Sequence, residues 1–416
     1  MTFNRRLFLA SLTATLAAPM VKAQTRPRVI IIGGGAGGAT AARYLAKDSK
    51  GALDVVLVEP SQTYYTCFFS NLYLGGFRSF ESLGHSYDKL AAAYGINIVH
   101  DLATGVDRAA KTVTLASGNT LPYDKLVLSP GIDFIDGSVA GWSLAAQDAM
   151  PHAYKGGTQQ PLQAQIAAMR PGGTFAMVAP PNPYRCPPGP YERASMVATY
   201  LQANNPTAKI LILDPKDKFS KQALFEEGWN KHYPGMITRI GPDMGGSAIE
   251  VRPDTMEVVV DGEAEKVDVC NVIPAQRAGD IASIAGVTEN NWAPVHADSM
   301  LSRLDENIYV LGDATNQGDM PKSGFSANSQ AKVAANHIRG ALTGSPVFPA
   351  KYANTCWSLI AADDGVKVGA SYAPTPEKIA SVDTFISQTG EDAALRKATY
   401  NESLGWYTGI TTDMFG

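Results

Sequence analysis

Arg28-Val-Ile-Ile-Ile32-Gly33-Gly34-Gly35-Ala-Gly-Gly38-Ala-Thr-Ala-Ala-Arg-Tyr-Leu-Ala-Lys47, with Glu59 at the end of the next apolar run, is the stretch on which the fold turns. Arg28 to Ile32 is a short β-branched run of the kind that forms a buried strand. The pattern Gly33-x-Gly35-x-x-Gly38 follows at once, and Ala39 to Lys47 reads as a helix. Asp54 to Glu59 is then a second strand, so the whole is a βαβ unit of roughly thirty residues. Glycines at 33, 35 and 38 permit a tight turn and close backbone approach to a pyrophosphate. The helix N-terminus supplies amide donors, and Glu59, twenty-one residues after Gly38, is placed to take ribose hydroxyls. The motif stands in its required strand–turn–helix context, so the chain binds a dinucleotide.

Working outward, Leu126 to Leu128 is another buried strand, closed by Ser129-Pro130-Gly131. Thr174 to Ala179 (strand), Tyr191 to Leu201 (helix) and Lys209 to Leu213 (strand) make a second βαβ unit. Asn307 to Leu311 returns to a buried strand closed by Gly312-Asp313-Ala314. Beyond Pro346 the pattern shifts to strands, with Val366 to Ser371 and Ile379 to Phe385 as candidates. The expected class is α/β: two Rossmann-like nucleotide-binding domains, the first one split, plus a C-terminal α+β module. The expected boundaries are 24–145 with 285–345 for the first domain, 146–284 for the second and 346–416 for the module. The last segment, Tyr400 to Gly416, is rich in Gly and Thr and shows no apolar helical stripe.

The N-terminus reads Asn4-Arg5-Arg6-Leu7-Phe8-Leu9, then an apolar run to Ala18 and Val21-Lys22-Ala23. A charged start, a short apolar stretch and a small-residue cleavage point make residues 1–23 a signal peptide, and the Arg-Arg pair gives it a twin-arginine character. The chain is expected in the periplasm, without a membrane anchor. Its net charge of −4, with three of the positive charges in the leader, argues against nucleic acid as a partner. Charged residues at 18% and apolar ones at 45% exclude a disordered chain.

The second βαβ unit is informative through what it lacks. After its first strand comes Pro180-Pro181-Asn-Pro183-Tyr-Arg185-Cys186-Pro187-Pro188-Gly-Pro190, not a glycine fingerprint. Six prolines remove six amide donors, so no phosphate nest is expected there. The four cysteines are Cys67, Cys186, Cys270 and Cys356. None belongs to a haem-attachment or zinc pattern, and no metal site is expected. Cys270, in an apolar strand-like run, reads as a small buried hydrophobe.

Asn307-Ile-Tyr-Val-Leu-Gly-Asp313-Ala resembles the second FAD motif of the FAD-dependent pyridine-nucleotide-disulfide oxidoreductases, and Leu126 to Gly131 resembles the segment that passes near the FAD there. That resemblance implies FAD as cofactor, held by Gly33, Gly35, Gly38, Glu59, Gly131 and Asp313. Tyr64-Tyr-Thr-Cys67-Phe-Phe-Ser-Asn71, the Cys186 loop, Asn354-Thr-Cys356-Trp-Ser358 and the ending Gly405-Trp406 to Gly416 narrow the likeness. Together they resemble the flavin subunit of flavocytochrome c sulfide dehydrogenase over essentially the whole mature chain. The resemblance implies covalent FAD attachment at Cys67, a redox-active disulfide between Cys186 and Cys356, an acid beside it at Glu192, and Trp406 near the flavin. It also implies hydrosulfide as substrate and a separate c-type cytochrome subunit as electron acceptor. A purely structural Cys186–Cys356 disulfide, a sulfide:quinone oxidoreductase and a flavin-bearing binding subunit without turnover remain open alternatives at this point.

Overall fold

The computed structural model describes residues 26–155 and 157–416. The expected leader lies outside the described residues. The opening stretch forms the centre of a parallel sheet ordered Ile308–Val310, Lys125–Leu128, Arg28–Ile32, Asp54–Val58, Asn97–Val99. Val29, Ile30 and Ile31 are wholly buried. That explains the unbroken β-branched run: a central parallel strand has apolar neighbours on both faces. The first helix, Ala36–Ser49, buries Ala36, Gly37, Ala39, Thr40 and Ala41. Those small residues let the long helix Gly324–Thr343 lie close, tied by Asn328 Nδ2 donating to Thr40 Oγ1 at 2.9 Å.

A second parallel sheet runs Ile237–Ile240, Lys209–Leu213, Thr174–Val178, Val269–Val272. Cys270 is fully buried within it. The proline-rich loop leads from Thr174–Val178 into the helix Gly189–Asn204. The mixed α/β architecture with parallel sheets agrees with the sequence reading.

The C-terminal part holds an antiparallel sheet of Tyr352–Ala361, Asp364–Pro374 and Ile379–Ile386. One expectation is corrected here. The end of the chain is a long helix, Ala393–Phe415, with a buried stripe of Arg396, Thr399, Ser403, Tyr407, Ile410, Thr411, Met414 and Phe415. The helical period is present, but half of its buried positions are polar, so hydrophobicity alone does not show it. Asp392 caps the helix, its side chain accepting from Leu395 N at 2.8 Å. Arg396 is buried because Asp364 of the hairpin accepts from its Nε at 2.6 Å, both side chains being 5% exposed. Among the described residues no helix is long and apolar enough to cross a membrane.

The apolar cores meet where the site lies. Ile410, Met414 and Phe415 join the core of the first sheet, while Ile360 and Val366 of the hairpin join that of the second. Between them, Phe69, Leu72, Met196, Leu359 and Tyr407 form a smaller cluster drawn from four segments far apart in sequence.

Candidate active site

The fingerprint glycines are required by geometry. Gly33 has φ +99°, and a Cβ there would sit 2.4 Å from the Ser129 carbonyl oxygen. A Cβ on Gly38 would lie 1.8 Å from the Gly33 oxygen, closer than any side chain permits. Gly35 is the N-cap and offers no side chain across the helix end. Glu59 reaches over the turn, Oε2 accepting from Gly34 N at 2.8 Å and Oε1 from Ser61 N at 3.0 Å. Gly131, φ +69°, follows the Ser129-Pro130 backbone that crowds Gly33, and its carbonyl accepts from Gly279 N at 2.9 Å. The five residues thus share one end of the site.

Asp313 lies in the turn Gly312–Ala314 behind Ile308–Val310. Its Oδ1 is buried and has no hydrogen-bond partner. Burial pushes the carboxyl up, and Arg185 and then Lys322 hold it back. An orphaned acceptor is costly in a folded interior, and the hydroxyls of a sugar-alcohol chain would satisfy it. With the glycine-rich turn at Gly33–Gly38, this arrangement fits an FAD. Cys67, Tyr64, Tyr154 and Asp313 are the ionisable neighbours of the buried Arg185 guanidinium.

At the other end is a cavity holding about 850 Å³ of empty space, its open mouth included, lined among others by Cys67, Cys186, Glu192, Cys356, Trp357 and Trp406. Four segments deliver them. Cys186 has φ +57°, its N–H donates to the Lys322 carbonyl at 2.8 Å, and its own carbonyl accepts from Gly189 N at 2.7 Å. A Cβ on Gly189 would come within 3.0 Å of the Cys186 sulfur, so glycine at the helix start makes room for the thiol. Cys356 projects from the hairpin strand Tyr352–Ala361, and Asn354 Nδ2 donates to its sulfur at 3.3 Å. Glu192, in the first turn of Gly189–Asn204, accepts from Leu359 N at 2.9 Å and from Asn71 Nδ2 at 2.8 Å. Trp406 packs at 5.2 Å from Trp357 and 5.6 Å from Phe68, ring centre to ring centre.

All four cysteines are free thiols in this structure. Cys186 and Cys356 open into the same cavity without the expected bond between them. Burial pushes the Cys186 thiol well up, and neighbouring Cys356 and Glu192 push the same way. Burial also raises Cys356, opposed first by Lys221. Glu192 is raised by burial, against its bonds from Leu359 and Asn71.

A second expectation needs correcting. Arg185 follows Tyr184 and precedes Cys186, which suggests a cation that favours the Cys186 thiolate. Instead its guanidinium turns away, donating to the Tyr154 carbonyl and lying 5.3 Å over the Tyr154 ring, in the company of Cys67 and Asp313. The cation acting on both Cys186 and Cys356 is Lys221. Lys221, Asn71 and Trp357 are site residues that the sequence reading missed. Asn71 and Trp357 stand within segments already singled out, whereas Lys221 carries no motif at all.

Three family descriptions match the chain in sequence. Residues 27–151 match the pyridine nucleotide-disulphide oxidoreductases, 159–274 the central part of the sulfide dehydrogenase [flavocytochrome c] flavoprotein chain, and 349–415 the flavin-binding part of flavocytochrome c sulphide dehydrogenase. A sulfide dehydrogenase [flavocytochrome c] flavoprotein chain from Chlorobaculum thiosulfatiphilum is 50% identical over 44 residues, 11% of this chain and 90% of that sequence. The mitochondrial sulfide:quinone oxidoreductase of Dictyostelium discoideum is 22% identical over 338 residues, covering 77% of this chain and 72% of its own. Among solved structures, the sulfide:quinone oxidoreductase of Aquifex aeolicus superposes with a TM-score of 0.68 at 18% identity, over 93% of this chain and 92% of that one. That last likeness is one of fold.

Proposed function

This chain belongs to the flavoprotein chains of flavocytochrome c sulfide dehydrogenase, within the pyridine nucleotide-disulfide oxidoreductase superfamily, and from that premise we propose that it oxidises hydrosulfide to zero-valent sulfur or polysulfide at Cys186 and Cys356. The observation that carries this reading is the convergence of Cys186, Cys356 and Glu192 on one cavity that Cys67 and Trp406 also line. Two thiols 170 residues apart in sequence, sharing a cavity with a carboxyl group, can cycle between dithiol and disulfide.

In the oxidised form, hydrosulfide attacks one sulfur of the pair. The S–S bond breaks, a persulfide forms on the attacked sulfur, and the electron pair leaves on the other as thiolate. Burial raises the Glu192 carboxyl, which makes its carboxylate a stronger base to take up and return the proton of the incoming sulfur. Asn71 and the Leu359 amide hold that carboxyl in place. The stiff backbone around Cys186, with prolines at 187 and 188, keeps its sulfur from wandering. When bound, an FAD would supply the two-electron acceptor that lets the cysteine pair re-form its bond as the persulfide's outer sulfur leaves at the zero-valent level, and would pass electrons on singly. Gly33, Gly35, Gly38, Glu59, Gly131 and Asp313 would hold it, Trp406 would lie beside it, and Cys67 would bond it covalently.

The electron acceptor on this reading is a separate c-type cytochrome subunit, met in the periplasm after export through the leader at 1–23. The quinone reading draws on the relative from Dictyostelium discoideum. Steady-state sulfide oxidation with cytochrome c and with a short-chain quinone as alternative acceptors separates the two. Turnover with the cytochrome is expected; turnover with the quinone alone would overturn the assignment.

A further inference from the structure

Lys221 stands where local rules disfavour a lysine. It precedes the helix Gln222–His232, whose Leu224 and Phe225 amides it accepts through its carbonyl, and it has φ +65°. A β-carbon is strained in that left-handed conformation. A cation is also unfavourable at the positive end of a helix. The side chain nevertheless runs inward, the residue being 5% exposed. Nζ donates to the Cys356 carbonyl at 2.8 Å and to Ser358 Oγ at 2.8 Å. Two of its three hydrogens are thereby used. Among the described residues no carboxylate pairs with it at ion-pair distance. A buried cation with no carboxylate at ion-pair distance is costly, so this placement makes physical sense where negative charge develops beside it.

We propose that Lys221 is the charge partner of the cysteine pair: fixed between the Cys356 carbonyl and the Ser358 hydroxyl, its ammonium stabilises the thiolate released when the pair opens. The inference rests on the sulfide-oxidising reading of the same cavity. It makes Lys221 a positioning residue, acting on the sulfurs through its field. In the opening step the S–S bond breaks, hydrosulfide becomes the persulfide sulfur, and the departing cysteine carries the negative charge. Lys221 balances that charge without giving up a proton.

Lys221 is the cation that acts on both sulfurs of the pair. Glu192, from the helix Gly189–Asn204, raises both thiols. Arg193 beside it, tied to Asn71, Asn271 and the His152 and Ala153 carbonyls, has Cys186 as an ionisable neighbour, whereas Lys221 acts on both sulfurs. Burial keeps Tyr154, Tyr184 and Tyr372 as neutral phenols, which supply no positive charge, and Cys67 pushes Cys186 up rather than down. Burial draws Lys221 down to about 8, with Cys356, Glu192 and Cys186 opposing the fall, which keeps the ammonium form in the majority at pH 7.

The test uses the flavin-loaded chain, reduced with dithiothreitol, and follows iodoacetamide alkylation of Cys356 and Cys186 by mass spectrometry from pH 6 to 10. Lys221→Met should shift the Cys356 alkylation profile to higher pH, slowing the reaction about tenfold at pH 7, the equivalent of one pKa unit. Lys221→Arg should stay near wild type. Ser358→Ala, which removes one of the two acceptors, should shift the profile in the same direction but less, and serves if Lys221→Met does not fold. In Lys221→Met, bleaching of the flavin by sulfide should slow at pH 7 and recover as the pH rises. An unchanged alkylation profile in folded Lys221→Met, or in folded Ser358→Ala if the former does not fold, would overturn the proposal. Because alkylation needs no sulfide, a shifted profile in a protein whose flavin sulfide never bleaches would sink the functional reading and leave the role of Lys221 standing.

Discussion

Cys67 lies in the same cavity as the other two thiols yet belongs to a different part of the site. Its carbonyl is gripped by Ser70, through N at 3.2 Å and Oγ at 2.6 Å, and Arg185, which also lines the cavity, has Cys67 and Asp313 as ionisable neighbours. On the proposed reading Cys67 would bond the flavin covalently. Acid precipitation of the wild-type protein should therefore leave the yellow colour in the pellet, and Cys67→Ser should release it to the supernatant. Wild-type flavin that washes out freely would contradict covalent attachment. Cys186, Cys356, Glu192 and Trp406 were legible in the sequence only through resemblance, and the structure brings them to one cavity. Lys221 was not legible, because its partners at Cys356 and Ser358 are 135 and 137 residues away and no spacing rule connects them.

At the scale of elements, what the sequence disclosed depended on how local the cause was. The strand–turn–helix from Arg28 to Ser49 is dictated by residues in contact with their near neighbours, and it was read with only its ends displaced. The helix Ala393–Phe415 depends on distant partners: Arg396 on Asp364, and Tyr407 on Thr66 through hydroxyls 3.1 Å apart. Its half-polar buried stripe therefore showed no apolar helical period in the sequence. The proline-rich loop yields a prediction of its own. Lys216 Nζ donates to the Pro180 carbonyl at 2.6 Å and pairs with Asp214 at 2.7 Å, while Tyr191 stacks on Phe219 at 3.5 Å. These groups occupy the crevice beyond the strands Thr174–Val178 and Lys209–Leu213, where a second dinucleotide would otherwise lie. Millimolar NADH should leave the flavin oxidised under anaerobic conditions for many minutes. Rapid stoichiometric reduction would show that the crevice opens.

For the whole molecule, Asp364 is a junction between the second sheet's helices, the hairpin and the C-terminal helix. It accepts from His232 Nε2 at 2.7 Å and from Arg396 Nε at 2.6 Å. Burial pushes its carboxyl up, but His232 and Arg396 outweigh that and hold it below the usual carboxylate range. A depressed carboxyl stabilises the fold above its unfolded pKa, about 3.9, and the contribution is lost as pH falls through the lower folded value. Asp364→Asn should therefore lower the unfolding free energy by about 3 kcal/mol at pH 7, the scale for breaking a buried pair, and the deficit should shrink below pH 4. Urea titrations at pH 7 and pH 3.5 measure both. An equal deficit at the two pH values would mean that the charge of Asp364 is not what joins these elements.

The central claim is that Cys186 and Cys356 form one redox couple that takes electrons from hydrosulfide. Anaerobic addition of micromolar sulfide to the flavin-loaded protein, followed by flavin absorbance, tests it most directly. The wild type should bleach, while Cys186→Ser and Cys356→Ser should each stay folded, flavin-loaded and yellow. Sulfide-driven bleaching at the wild-type rate in either folded variant would contradict the account.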